Sequence, residues 1–91
     1  MRKPQYAIIY QDEEDRSVLN SWGPYSTKKG AMKRAEKDNK DNFISDLEEE
    51  GHTKEEVAEA VVEDYTKLTW SAHDEAVSDY GNTYAVIKLG R

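Results

Sequence analysis

Apolar residues in this chain concentrate in three short blocks, and that distribution limits its fold more than any other feature. The blocks are Tyr6-Ala7-Ile8-Ile9-Tyr10, residues 57–65, and Tyr84-Ala85-Val86-Ile87-Lys88-Leu89. The first and last are rich in β-branched and aromatic residues and are flanked by Pro, Gly or charged residues, so each reads as a strand. The middle block repeats at helical spacing. The hydrophobic share is only 36% and charged residues make up 35%. Spread evenly, such a composition suits a disordered chain; gathered into blocks, it predicts a folded one. Ninety-one residues are expected to form a single compact domain over 1–91, able to hide roughly 60–70% of the unfolded surface. Six Tyr, two Trp and one Phe must supply much of the core, since each aromatic buries a large area.

Between the outer blocks the elements follow from local signals. Residues 18–22 predict a second, shorter strand, joined to the first in a hairpin through the polar run Asp12-Glu13-Glu14-Asp15. That run is a solvated turn; it lacks the alternating ligands and central Gly of an EF-hand loop. Gly23 and Pro24 stop the hairpin, and Ser26 or Thr27 caps a helix, with Trp22 and Tyr25 packing the strand end against it. This helix runs from 27 to about 50, and Gly51 supplies the left-handed residue after it. Its apolar stripe starts on Ala31, Met32 and Ala35 and resumes only at Phe43 and Leu47. The polar run 37–42 lies between, so a straight helix and one broken near 38–41 fit the pattern equally. Thr53-Lys54-Glu55-Glu56 is a capping box that starts a second helix, whose buried side is Val57, Val61 and Tyr65 with Ala58 and Val62. Alternation of Leu68, Trp70 and Ala72 predicts a third strand over 67–72. A polar connection over 73–82, with room for one helical turn at 74–77, then closes on Gly81-Asn82. The order is ββααββ. The expected fold is α+β, an antiparallel four-stranded sheet with two helices on one face.

The function classes narrow quickly. There is no cysteine, which removes disulfides, thiolate metal sites and Cys nucleophiles. No apolar run approaches the eighteen or so residues of a membrane helix, and Met1-Arg2-Lys3-Pro4 lacks the apolar region of a signal peptide; a cytoplasmic location is expected, with no membrane partner. Only two histidines occur. His52 lies in the turn between the helices and His73 beside Asp74 and Glu75, where neighbouring strand residues point to opposite faces. No nucleophile elbow, phosphate loop, HExxH or dinucleotide fingerprint is present. The chain is therefore expected not to be an enzyme, and to carry no catalytic residue, cofactor or metal.

Charge is the remaining signal. Residues 45–65 hold nine of the 19 acids and one of the 13 bases, so this segment carries the whole excess behind a formal net charge of −6. With Glu55 at 0° on a helical wheel, Glu59 falls at about 40°, Glu63 at about 80° and Glu56 at about 100°, a ribbon roughly a quarter of the circumference wide. Carboxylates at i and i+4 repel by a few tenths of a kcal/mol per pair. Glu48, Glu49 and Glu50 crowd a helix C-terminus, which favours cations by about 0.3–1 kcal/mol each. Departures from the arrangement that folding favours point to a binding surface. Glu48, Glu49, Glu50, Glu55, Glu56, Glu59 and Glu63 are the candidate partner-binding residues, and a basic protein surface is the partner they fit. Net negative charge argues against direct nucleic-acid binding, which needs Lys and Arg to neutralise phosphates.

Acids one helical turn apart, roughly 6 Å, approximate the spacing of successive phosphates. In this the chain resembles the small acidic inhibitors carried by phages and mobile elements, and Trp22-Gly23-Pro24-Tyr25-Ser26-Thr27 looks like segments of short phage reading frames. The resemblance implies a nucleic-acid mimic that inhibits a basic host protein in the host cytoplasm; it assigns no residue a role. The rival reading is a structural or self-associating protein. It would use the lysine row Lys29, Lys33, Lys37 and Lys40, as a homodimer or paired to the molecule's own acids, or an aromatic patch of Tyr6, Tyr10, Trp70 or Tyr84 left bare by the helices.

Overall fold

The structure, a computed structural model, describes residues 4–78 and 81–89. Met1-Arg2-Lys3 and positions 79 and 80 of the predicted polar connection lie outside the described residues. The chain forms β1 (Gln5–Gln11), β2 (Val18–Tyr25), α1 (Lys28–Glu49), α2 (Lys54–Glu63), β3 (Glu75–Val77) and β4 (Thr83–Leu89). The strands make one antiparallel sheet in the order β2-β1-β4-β3. This is the expected α+β fold with the expected ββααββ order.

β1 is an inner strand because it is apolar on both faces. Ile8 is fully buried under α1, and the cross-strand pairs Ile8↔Val86, Tyr10↔Tyr84 and Ile8↔Trp22 fix which side chains share that face. Opposed residues of an antiparallel pair point the same way. Ile8 and Tyr84 meet Ala31 and Ala35 of α1, with Tyr6, Tyr10, Trp22, Tyr25, Leu68, Trp70 and Val86 packed round them. Two alanines one turn apart let the helix axis come close to the sheet, so the large side chains of the strands fill the layer. Trp22 and Tyr25 pack as expected, and Arg34 of α1 lies over the Trp22 ring at 5.2 Å, within the range of a cation–π contact.

Three elements differ from the sequence expectation. β2 continues through Gly23 and Pro24 to Tyr25 instead of stopping at Trp22. It is an edge strand, where the missing proline N–H faces away from the ladder, and a register shift between Tyr6 and Ile8 absorbs the irregularity. A Cβ on Gly23 would stand 3.1 Å from the Ala7 Cα, so glycine lets the strands approach there. The third strand is not at 67–72 but at Glu75–Val77, which had been assigned a helical turn. The alternation of Leu68 and Trp70 is real, since both pack on the core. Their backbone joins no sheet, and the Leu68 N–H donates instead to Glu36 Oε1 of α1 at 3.0 Å.

α1 is one continuous helix of 22 residues. Its polar centre is partnered rather than broken. Tyr84 donates to Asp38 Oδ2 at 2.6 Å, fully buried Asn39 donates to the Tyr65 hydroxyl at 3.2 Å, and Lys37 pairs with Asp41 at 2.7 Å. The drifting apolar stripe therefore serves two neighbours in turn. Ala31 and Ala35 face the sheet, while Phe43 packs on Tyr65, just past α2, with ring centres 5.5 Å apart. α2 packs chiefly on α1 rather than on the strands. One neighbour covers only a narrow stripe of it. Val57 is buried, but Ala58 is exposed and Val62 is 84% exposed, against the broader buried side expected.

Candidate functional site

The turn between the helices is set by two capping motifs. At the end of α1 the His52 N–H reaches the Leu47 carbonyl at 3.2 Å and the Gly51 N–H reaches that of Glu48 at 3.1 Å. This is the six-to-one and five-to-two pairing of a Schellman motif, with Gly51 at φ +92°. At the start of α2 the Glu56 N–H donates to Thr53 Oγ1 at 3.2 Å, and the Thr53 N–H donates to Glu56 Oε1 at 2.9 Å. The predicted capping box is present on both sides. Hydrogen bonds from the Thr53 backbone, then from its side chain, hold the Glu56 carboxyl below its ordinary range, with nearby His52 adding to the effect.

These motifs fold the acids into a definite arrangement. His52 stands between the two helices, 3.3 Å from Glu50 and 3.7 Å from Glu56. Beyond it, Glu56, Glu59, Glu63 and Asp64 line an open groove of about 270 Å³ with Leu47, His52 and Ala60. Leu47 is the contribution of α1, and Ala60 gives an apolar floor between the carboxylates. Of the seven residues expected from sequence, the groove gathers Glu56, Glu59 and Glu63, and His52 ties Glu50 to its rim. Glu48, Glu49 and Glu55 are exposed but do not line it. Glu55 and Glu56 stand in the first turn of α2, where the helix dipole favours acids. Folding explains those two. It does not explain Glu59, Glu63 and Asp64 toward the other end, nor Glu48, Glu49 and Glu50, since neither helix has a basic residue in its last turn.

Sequence reasoning missed Leu47, His52, Ala60 and Asp64. Asp64 lies half a turn from Glu55 on the wheel and follows the last helical residue. Its membership depends on how α2 leans on α1, which periodicity does not encode. Among the described residues no lysine or arginine pairs with Glu48, Glu49, Glu50, Glu55, Glu56, Glu59 or Glu63. The cations are engaged elsewhere: Lys28 with Asp74 at 2.9 Å, Arg16 with Glu75 at 3.0 Å and Lys37 with Asp41. The lysine row thus leaves the acidic ribbon unneutralised. The hydrogen bond to Asp74 raises the Lys28 ammonium above its usual range.

The second surface of interest is the sheet face away from α1. The aromatics expected to line it, Tyr6, Tyr10, Trp70 and Tyr84, all pack in the helix-side core instead. The open face is aliphatic. Its groove of about 460 Å³ runs over Ala7 between Ile9, Val18, Pro24, Ile87 and Leu89.

Among the described residues no helix is long and apolar enough to cross a membrane, and no three acidic or histidine side chains gather to hold a metal ion. No protein-family model, curated protein or solved structure matches the chain.

Proposed function

We propose that this chain is a non-enzymatic protein-binding module whose acidic helical surface engages a basic surface on another protein. The observation that carries the reading is the groove lined by Glu56, Glu59, Glu63 and Asp64, whose carboxylates have no internal cation among the described residues. An Arg or Lys stem would lie on Ala60 and Leu47 while its head reaches the carboxylates, the way long basic side chains bury their methylenes. Glu48, Glu49 and Glu50 extend the negative field beside the groove and speed association with a positive partner. One helical turn between Glu59 and Glu63 is close to the interval between phosphates, which favours a partner groove built for nucleic acid. In that setting the protein acts as a nucleic-acid mimic and inhibitor, the role its likeness to acidic phage-borne proteins suggests.

A competition experiment tests the reading. A fluorescently labelled Lys/Arg-rich DNA-binding domain is titrated with the protein, and duplex DNA is then added. Saturable binding reversed by DNA supports the mimic. Binding that DNA leaves unchanged removes it, and no binding at low salt removes the basic-partner reading altogether.

A further inference from the structure

The open face of the sheet is built to pack against itself. β1 and β4 pair through Ala7↔Ile87 and Ile9↔Ala85. In each pair one side chain is small and the other large, and the order reverses from one pair to the next. The result is a two-by-two checkerboard on the face away from α1, with Ile9 and Ile87 as diagonal knobs and Ala7 and Ala85 as diagonal hollows. The hollows are 8% and 6% exposed, whereas Ile87 at the surface is 36% exposed. A two-fold axis lying between two such faces and parallel to the strands sets each β1 position over the β4 position at the same level of the second copy. Ile87 of one copy then enters the hollow over Ala7 of the second copy, and Ile9 enters the hollow over Ala85. A two-fold interface requires a patch complementary to itself, and this pattern has that property.

Charge points to the same occupant. The register puts one charged side chain on this face, Glu75 at the β3 edge, and Arg16 already pairs with it at 3.0 Å. A charged partner finds no complement there, but a second copy brings an equally neutral face. Stacking the sheets also leaves both acidic helix layers on the outside, where two chains of net charge −6 repel least. Sheets packed this way interdigitate side chains with strands within about 30° of parallel.

We infer that two copies of this chain associate through the aliphatic sheet face into a helix–sheet–sheet–helix dimer. This inference is independent of the acidic groove, which stays exposed in both copies. Seven-residue strands and a width of four strands give a planar footprint on the order of 400 Å² per copy. That is at the small end for specific association, so the dimer is reversible and dependent on concentration.

Sedimentation equilibrium of the full chain from about 10 µM to about 1 mM, a range suited to small interfaces, tests it, with folding of each variant checked by far-ultraviolet circular dichroism. The expected result is a mass rising from 10.5 kDa toward twice that value. Ile87→Lys should hold the chain monomeric. Ala7→Leu fills a hollow and should weaken the dimer at least tenfold although it adds apolar surface. A wild-type chain that stays monomeric throughout, a dimer indifferent to Ile87→Lys, or one strengthened by Ala7→Leu would each overturn the inference.

Discussion

Tyr84 shows how one residue can join two layers. Its ring is fully buried between β1 and α1, its centre 4.7 Å from that of Tyr10, and its hydroxyl donates to Asp38 at 2.6 Å. A phenol meets both demands, because its body is apolar and its tip needs a partner. Burial, and then the hydrogen bond to Asp38, push the phenol far above its ordinary value near 10. The unfolded chain releases this proton near pH 10 and the native chain keeps it. Stability should therefore be unaffected by this group below about 10 and fall as the pH rises beyond it. Tyr84→Phe keeps the ring and leaves Asp38 without its main donor; it should cost about 1–2 kcal/mol in urea unfolding and flatten the alkaline decline. A variant as stable as wild type would mean that the Asp38 bond contributes nothing net. The sequence announced Tyr84 as a strand residue. It could not announce Asp38, because a polar run in mid-helix reads as solvated until the opposite layer is known.

At the level of elements, what the sequence made legible depended on how local the cause is. The capping box, Gly51 after α1, β1 and β4 rest on contacts within a few residues or on dense β-branched runs, and they stand where expected. The continuity of α1 rests on distant partners, Tyr84 and Tyr65, for Asp38 and Asn39. β3 exists because Ala76 fits opposite Tyr84, and three residues of a short edge strand carry no periodicity of their own. Leu68 and Trp70 alternate because one side of an extended segment faces the core. The same pattern arises with or without a strand, so the prediction at 67–72 failed. The site divides in the same way: Glu56, Glu59 and Glu63 followed from helical spacing, while Leu47 and His52 needed the interhelical packing. Because α2 leans on α1 alone, its start matters to it more than its packing. Thr53→Ala should cost about 1 kcal/mol and lower helicity at 222 nm. The Glu56 carboxyl titrates below its unfolded value, so its contribution is present at neutral pH and is lost on acidification through its lowered range. Glu56→Gln can keep the capping hydrogen bond. Helicity should then survive acid better in this variant than in wild type, and equal loss in both would assign the acid sensitivity elsewhere.

For the whole molecule, α1 separates two unlike surfaces. Its first half seals the sheet, and its second half carries the turn and α2 outward, giving extents of 50 × 28 × 21 Å. The uncharged sheet face and the unneutralised carboxylates thus lie on different parts of the molecule, and each can meet a partner of its own kind. The acidic groove is the centre of the functional reading, and general charge attraction is its simplest competitor. Fluorescence anisotropy with a Lys/Arg-rich DNA-binding domain at low and physiological salt separates the two. Wild type is compared with Glu59→Lys/Glu63→Lys and with Glu13→Lys/Glu14→Lys, which makes the same change in net charge in the β1–β2 turn. Charge pairs at a specific interface are worth a few kcal/mol. The groove variant should therefore lose at least tenfold in affinity at physiological salt while the turn variant stays within about threefold of wild type. Equal losses in the two variants would show that net charge, and not the groove, governs binding.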